Sequence, residues 1–227
     1  MSHGEVLIIS LHADPSVPSG VGEGGGTHAY LREITAGLAM LGRTCRLVTR
    51  RISPALEDRV SISPLATLFR IDIGPPGQLD KKYLNDFFEP TLAIIRNIIK
   101  GTERKPSVIH SVYWNSGRVA LELSHETGIP FVHTVISNGT GRRLRGARGQ
   151  ESIREVIERK IFHGAHRIFS ISASEKEDLV NLYSVPEEKI VVIGRPVDPC
   201  YQHAAHDETG RPGLFLTDNQ ALLSGAP

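Results

Sequence analysis

Short apolar segments alternate with longer segments of helical periodicity along most of the chain. The first apolar segment, 6–9, contains no polar position, which is typical of a strand buried on both faces of a parallel sheet. Apolar residues then recur at helical spacing over 30–41, Gly42 is expected to end this helix, and a second strand is predicted at 45–48. Further strands are predicted within 60–73 and at 108–110, 131–135, 167–171 and 189–193.

Helices are predicted between these strands. One is expected from about 80 to 99, where Pro90 is the residue most able to kink or split it. Another should begin at Ser172, because Ser172 and Glu175 match the capping box. The helix between them is expected to bury one apolar face, made of Ile153, Val156, Ile157 and Ile161.

This alternation predicts an α/β fold, a Rossmann-like open and mostly parallel sheet with helices on both faces. In such sheets, ligands bind beyond the carboxyl ends of the strands, so functional residues are expected in the loops that follow them. The pattern ends near Asp198. We therefore expect residues 1–198 to form the domain and residues 199–227 to be a hinge or a poorly ordered tail.

Composition excludes several classes of function. The 227 residues include 26 Lys+Arg and 25 Asp+Glu, a net charge of +1, so no overall basic field for nucleic acid is expected. Two cysteines, Cys45 and Cys200, are too few for a disulfide scaffold and favour a cytoplasmic location. No apolar segment is long enough to span a bilayer, and no set of metal ligands is evident, so neither a transmembrane segment nor a metal is expected.

A glycine-rich loop leads into the first predicted helix. The segment Gly20–Gly25 fits the dinucleotide pattern G-x-G-x-x-G, and Gly24, Gly25 and Gly26 immediately precede the helix. Consecutive glycines let the backbone approach an anion, which the N–H groups of a helix N-terminus then bind. The second strand ends in Thr-Arg-Arg at 49–51 rather than in an acidic residue for a ribose. Contact with a phosphate or a sugar diphosphate is therefore favoured over a flexible surface loop.

Two later loops also carry candidate residues. Tyr113, Trp114 and Asn115 follow the strand at 108–110, and an aromatic beside an amide suits a sugar, although the two rings could instead cap the core. After the next strand come His133 and Ser137, then four arginines within 142–148. Arginine binds phosphate oxygens bidentately, so these arginines could contact a phosphate. Two alternatives use the same residues: a solvated basic loop and a site for anionic lipid. The candidate contacts in this arginine loop are Arg142 and Arg143.

These three loops, in this order, resemble the N-terminal domain of retaining glycosyltransferases of family 4. This GT-B group includes sucrose-phosphate synthases and mycothiol-type glycosyltransferases. The resemblance covers about residues 4–198. It is carried by the glycine segment at 24–31, by His-x-x-Tyr-Trp-x-x-Gly at 110–117, by the strand segment at 130–134 and by Arg-x-x-x-Glu at 154–158.

The resemblance implies transfer of a sugar from a nucleotide-diphosphate sugar, as co-substrate, to a sugar or sugar-phosphate acceptor, with no other cofactor. The N-terminal domain would hold the acceptor through Tyr113, Ser137 and Arg154, with the arginine loop as a further contact to a phosphate. The glycine loop would approach the phosphates of the donor.

Two departures from the family pattern affect the expected activity. The motif Thr-x-His-x-Leu, which supplies the active-site histidine, has Ile136 at its histidine position and Asn138 at its leucine position. His133 is the nearest imidazole, but an odd offset on an extended segment should point it to the other side. The catalytic residue is therefore unassigned. Residues 199–227 are also too few for the C-terminal domain that binds the nucleotide sugar in GT-B enzymes.

Three hypotheses remain. In the first, the chain is the acceptor-binding half of a glycosyltransferase and is inactive unless a C-terminal domain is supplied in cis or in trans. In the second, it is a non-catalytic pseudo-glycosyltransferase that serves as a binding or partner module. The third hypothesis is a single-domain NAD(P)-binding protein that uses Gly20–Gly25 together with Arg50 and Arg51. A surface built to meet another domain could also pair two copies of the chain in a homodimer.

Overall fold

The computed structural model describes residues 4–17, 25–102, 105–146 and 151–194. Within these ranges, eight strands form one sheet, in the spatial order β3-β4-β2-β1-β5-β6-β7-β8. All neighbouring strands are parallel except β3, which pairs antiparallel with β4 at one edge. The strands are β1 (Val6–Ile9), β2 (Cys45–Arg50), β3 (Arg59–Ser63), β4 (Ala66–Ile71), β5 (Val108–Val112), β6 (Phe131–Val135), β7 (Arg167–Ser170) and β8 (Ile190–Val192).

Helices connect most of the strands, and local signals in the sequence begin and end them. Gly42 follows the first helix with φ 66°, a left-handed conformation that stops the helix. The hydroxyl of Ser172 accepts a hydrogen bond from the N–H of Glu175, which confirms the N-terminal cap. In the described ranges the α-helices are α1 (Gly26–Met40), α2 (Phe88–Lys100), α3 (Trp114–Thr127), α4 (Gly139–Leu144), α5 (Glu151–Gly164) and α6 (Ala173–Tyr183).

The helix predicted over 80–99 is divided in two. A 3-10 helix spans Lys81–Phe87, and α2 begins at Phe88. Pro90 therefore lies in the first turn of α2, where its missing N–H leaves no hydrogen bond unmade. A second short 3-10 helix, Glu187–Lys189, precedes β8.

Apolar cores lie on both faces of the sheet. The larger core packs α2, α3, α5 and α6 against the sheet, with Ile95, Phe162 and Leu179 almost fully buried. The smaller core packs α1 on the other face through Tyr30 and Leu31. This arrangement confirms the predicted Rossmann-like α/β fold with helices on both faces.

The prediction of a buried apolar face on α5 is wrong for the first half of the helix. Ile161 is buried, but Ile153 and Val156 are 54% and 60% exposed. The buried positions there are Arg154 and Glu158, which form an ion pair one helical turn apart. Because each charge is compensated by the other, this part of the helix buries a polar pair where the pattern predicted apolar side chains.

The order of the strands reverses at β1. The chain goes from β1 to β2 on one side, whereas β5 pairs with β1 on the other. The helix after β1 covers one face of the sheet and the helix after β5 covers the opposite face. The two loops therefore diverge and leave a crevice between the carboxyl ends of β1 and β5, where open α/β sheets bind ligands.

Candidate functional site

A buried ion pair shapes the loop after β1. Arg70 of β4 donates through Nε to Oδ2 of Asp14 over 2.6 Å, and the side chains are only 4% and 6% exposed. Ser16 donates to the same carboxylate through its N–H and its hydroxyl, over 2.8 Å and 2.7 Å. Burial acts to raise the pKa of Asp14, but the hydrogen bonds from Arg70 and Ser16 outweigh it and lower the pKa. The carboxylate stays ionised and fixes the loop that carries His12.

His12 and Tyr113 face each other across the crevice. Their ring centroids are 4.7 Å apart, with His12 in the loop after β1 and Tyr113 at the end of β5. Burial, followed by the charges of Lys81 and His28, lowers the pKa of His12 to about 3, so the imidazole is neutral at pH 7. Its Nδ1 is buried and has no hydrogen-bond partner among the described residues. This nitrogen can therefore accept or donate one hydrogen bond to a ligand.

Tyr113 has an unusual backbone conformation. Its φ is 72° and its ψ is 154°, a combination that glycine adopts easily and other residues rarely do. Such a conformation costs about 1–3 kcal/mol and is concentrated at ligand sites. It places the Tyr113 ring 5.1 Å from Cζ of Arg154, and the Arg154 Nη1 donates to the Tyr113 hydroxyl over 3.4 Å.

Arg154 is a buried cation whose position is fixed on several sides. It is 5% exposed, and its Nε donates to Glu158 over 2.7 Å. Its Nη2 donates to the carbonyl of Ser137 over 2.5 Å and to the Ser137 hydroxyl over 3.1 Å. The second carboxylate oxygen of Glu158 accepts from the Gly139 N–H over 2.7 Å and from the Tyr183 hydroxyl over 2.6 Å. Three predicted residues, Tyr113, Ser137 and Arg154, are therefore in contact.

Lys81 is a site residue that the sequence analysis missed. It is half-buried at the start of the 3-10 helix, and its positive charge contributes, after burial, to the lowered pKa of His12. Its neighbour Lys82 is exposed and pairs with Asp80 over 3.2 Å, whereas Lys81 makes no ion pair with any residue that the structure describes. The available signal was a lysine in the loop region beyond the carboxyl end of β4.

The N-terminus of α1 carries a second histidine that the sequence analysis did not select. The Gly25 N–H donates to Nδ1 of His28 over 3.2 Å, so the proton of a neutral His28 is on Nε2. Gly25 and Gly26 lie exposed at the start of the helix, as predicted. Gly24 and the rest of the Gly20–Gly25 pattern lie outside the described residues.

Trp114 and Asn115 lie deeper than predicted. Trp114 is 6% exposed and belongs to the larger core, which favours the alternative that this ring packs inside the protein. Asn115 is 4% exposed, and within the ranges that the structure describes neither atom of its amide has a hydrogen-bond partner. A buried amide without partners is costly, so Asn115 remains a candidate for a polar contact with a ligand.

His133 does not fit the predicted role of a substrate contact. It is 1% exposed, its Nδ1 lies 2.9 Å from the Ser111 hydroxyl, and its ring packs against Phe162. Ile136 instead packs against the smaller core, on the opposite face of the sheet. Burial, with a smaller contribution from His110, lowers the pKa of His133 to about 3. His133 is therefore a neutral core residue, and Ile136, at the position where the resemblance implies a histidine, is an apolar side chain packed on the other face.

The predicted arginine loop is partly helical and partly ion-paired. Arg143, on α4, donates to both oxygens of Glu155 over 2.7 Å and 3.2 Å. Arg145 pairs with Asp178 over 2.9 Å, and Arg142 is exposed on the same short helix. Residues 147–150, which include the fourth arginine, lie outside the described residues. An anion at Arg143 would have to displace Glu155, although exposed ion pairs are weak, worth about 0–1 kcal/mol.

Two classes of feature are absent from the part of the chain that the structure describes. No three His, Cys, Asp or Glu side chains there are grouped so as to hold a metal ion. No helix there combines the length and the apolar character needed to cross a membrane.

The geometry agrees with the result of comparing the chain with protein families. The sequence model described as the glycosyl transferase 4-like domain matches residues 25–196, which is most of the chain and includes every residue of the crevice except the loop after β1. This chain belongs to the glycosyl transferase 4-like domain family. Tyr113, Ser137 and Arg154 all lie within the matched range of this glycosyl transferase 4-like domain.

Similar proteins come from several bacteria. The domain is 30% identical over 216 residues to the D-inositol 3-phosphate glycosyltransferase of Thermobispora bispora, covering 91% of this chain and 50% of that protein. It is 31% identical over 226 residues to the protein of the same name from Pseudarthrobacter chlorophenolicus, covering 92% and 52%. The chain therefore spans about half the length of these relatives.

A solved structure supports the fold. Sucrose-phosphate synthase from Thermosynechococcus elongatus superposes with a TM-score of 0.75 at 22% identity, covering 85% of this chain and 48% of that one. At this identity the likeness shows the architecture alone. It agrees with an N-terminal domain of the GT-B type.

Proposed function

We propose that this domain binds the acceptor of a sugar transfer, a phosphorylated cyclitol or sugar such as inositol 3-phosphate, in the crevice between β1 and β5. The observation that carries the proposal is the convergence of Tyr113, Ser137 and Arg154 at this crevice, with His12 facing Tyr113. The names of the bacterial relatives support the choice of a phosphorylated cyclitol.

The phosphate would lie between two cations. Arg154 provides a fixed, buried positive charge with the hydroxyls of Tyr113 and Ser137 beside it, and Lys81, whose charge acts on His12, would provide the second. Hydrogen bonds between charged donors and phosphate oxygens are among the strongest that proteins make. The unpartnered His12 Nδ1 is placed to bond a hydroxyl of the ring.

The donor would be a nucleotide-diphosphate sugar held by a second Rossmann-like domain, in cis or in trans. The relatives are about twice as long as this chain, which leaves room in them for such a domain. The start of α1 at Gly26 would face the donor phosphates, because the N–H groups of a helix N-terminus bind anions. The domain alone would then bind the acceptor without transferring a sugar.

One observation favours a second function, that of a binding module that performs no transfer. The position of the family's active-site histidine is Ile136, which packs against the smaller core. An apolar side chain supplies no group for proton transfer or for a hydrogen bond to the substrate.

Isothermal titration calorimetry of the 227-residue protein with myo-inositol 3-phosphate and with myo-inositol tests acceptor binding. We expect the phosphorylated ligand to bind more tightly, and Lys81→Met to reduce its affinity by about 10-fold or more, the value of one charge-assisted hydrogen bond. Lys82→Met is the matched control, because Lys82 is adjacent but paired with Asp80 at the surface. Equal binding of both ligands, or equal losses in both variants, would contradict the proposal.

Reconstitution distinguishes transfer from binding alone. The C-terminal half of the Thermobispora bispora relative, added in trans with a nucleotide-diphosphate sugar, supplies a C-terminal domain for this test. Transfer to inositol 3-phosphate with the parent chain would refute the binding module. Transfer only with the Ile136→His variant would show that the acceptor site is intact and that the chemistry was lost at this position.

A further inference from the structure

The last residue of β2, Arg50, is a buried cation whose three hydrogen bonds all go to one turn. It is 4% exposed. Its Nε donates to the Ile73 carbonyl over 2.9 Å, its Nη1 donates to the Gly77 carbonyl over 2.8 Å, and its Nη2 donates to the Pro75 carbonyl. Burying a guanidinium is costly, so these three main-chain acceptors are what stabilises it there.

The turn that Arg50 holds has a defined shape. Gly74 and Gly77 have φ values of 67° and 96°, which residues with a side chain rarely adopt. A Cβ on Gly74 would lie 2.8 Å from the ring of Phe87, so the turn packs directly on the 3-10 helix that follows it. The Gly77 N–H also donates to the Ile52 carbonyl over 2.6 Å, which joins the turn to the residues just after β2.

The other end of the same segment is held by α3. Arg118 lies with its Cζ 3.7 Å from the ring centroid of Phe88, and its Nη1 donates to the Asn85 side chain over 2.5 Å. Lys81 lies between the two anchors, four residues beyond Gly77. The position of its ammonium therefore depends on how the turn is held.

We propose that Arg50 is a positioning residue for phosphate recognition: by binding the carbonyls of residues 73, 75 and 77, it sets where Lys81 meets the crevice. This inference rests on the proposed acceptor site. Arginine suits the role because its planar group directs several N–H donors at once, whereas a lysine ammonium cannot reach three carbonyls in this arrangement. Arg50 itself contacts no ligand in this scheme.

The neighbouring Arg51 provides a matched control. It also follows β2, but its Nε and Nη2 bind Asp72, and it makes none of the bonds to the carbonyls of residues 73, 75 and 77. A general effect of losing an arginine at this edge would therefore appear in both variants. An effect that passes through the turn would appear at Arg50 alone.

The test compares the affinities for myo-inositol 3-phosphate and myo-inositol in Arg50→Lys, Arg51→Lys, Lys81→Met and the Arg50→Lys/Lys81→Met double variant. We expect Arg50→Lys to lose about 10-fold in affinity for the phosphorylated ligand, as when one charge-assisted contact is lost, with little change for myo-inositol. The double variant should bind no more weakly than Lys81→Met. Equal losses for both ligands, or additive losses in the double variant, would overturn the inference.

A measurement without ligand separates this inference from the proposed function. The ring resonances of His12 probe charge in the crevice, and the shift caused by Lys81→Met calibrates how strongly the ammonium acts on this ring. We expect Arg50→Lys to shift them in the same direction as Lys81→Met does, and Arg51→Lys to leave them unchanged. Unshifted resonances in Arg50→Lys would refute the positioning role. If the parent protein binds neither ligand, the proposed function fails, and these resonances still decide the role of Arg50.

Gly77→Ala provides a second perturbation if the Arg50 variant does not fold. With φ at 96° an alanine strains the turn while Arg50 stays in place, and Gly42→Ala, at φ 66° with open space around it, controls for the strain itself. We expect Gly77→Ala, but not Gly42→Ala, to shift the His12 resonances. Equal spectra in the two glycine variants would count against the inference.

Discussion

Buried histidines are expected to make the stability of this domain depend on pH. His110 and His133 are 3% and 1% exposed. Burial lowers the pKa of His110 from 6.5 to about 4, and burial together with the nearby His110 lowers the pKa of His133 to about 3. Both imidazoles stay neutral in the folded protein at pH values where the unfolded chain protonates them.

The sign and size of the effect follow from proton linkage. Between about pH 6.5 and pH 4 the unfolded state binds more protons, so the free energy of unfolding falls as the pH falls. The loss approaches about 1.4 kcal/mol per pH unit for each histidine, so at pH 5 the two together remove about 4 kcal/mol. That is a large part of the roughly 5–15 kcal/mol by which domains are stable.

Urea unfolding at pH 5, 6 and 7.5 measures this loss, and His133→Asn removes one of the contributing protons. We expect the variant to be less stable than the parent at pH 7.5 but to lose about two-thirds as much further stability on going to pH 5, because His110 and His12, whose pKa is also lowered to about 3, still contribute. His125→Gln is the control, because His125 is exposed on α3. A parent protein equally stable at all three pH values, or a His133→Asn variant with the parent's pH dependence, would refute the reasoning.

Three further substitutions test the packing and the charges around the site, all by urea unfolding. Gly117→Ala would place a Cβ 2.8 Å from Cε1 of His133, so we expect a loss of about 1–3 kcal/mol from overpacking, and an unchanged midpoint would show that α3 can shift freely. Glu158→Gln removes the carboxylate that pairs with the buried Arg154 and should cost about 3–5 kcal/mol; a loss below about 1 kcal/mol would disprove the importance of this pair. Arg143→Ala breaks only an exposed ion pair, so it should cost less than about 1 kcal/mol of stability. We also expect it to leave the affinity for inositol 3-phosphate unchanged. A weakened affinity would instead support the anion-binding role that the sequence predicts for Arg143.

The strand and helix order could be predicted from the sequence because it depends on local properties. Continuous apolar runs indicate strands buried on both faces, and Gly42 and Ser172 end and begin helices through their own backbone and side-chain chemistry. The exposed half of α5 could not be predicted in this way. Whether Ile153 or Arg154 faces the core depends on Glu158, Ser137 and Tyr113, which satisfy the guanidinium only once the chain has folded.

The site could be predicted only in part, for a related reason. The rule that ligands bind beyond the carboxyl ends of strands selected the loops that carry Tyr113 and Ser137. It also selected His133, which follows the strand alternation of β6 into the core. Lys81 escaped notice because it is far in sequence from the three loops that this rule selected.

The backbone of Tyr113 has a consequence for engineering this domain. Glycine would adopt its φ of 72° without strain, so Tyr113→Gly should relieve an unfavourable conformation while removing the ring that faces His12. The same substitution removes the packing of this ring against the larger core and its contacts with Arg154, so the strain at Tyr113 and the packing of its side chain act in opposite directions on stability. Libraries built to improve thermostability should keep position 113 constant, because the proposed acceptor site depends on its ring.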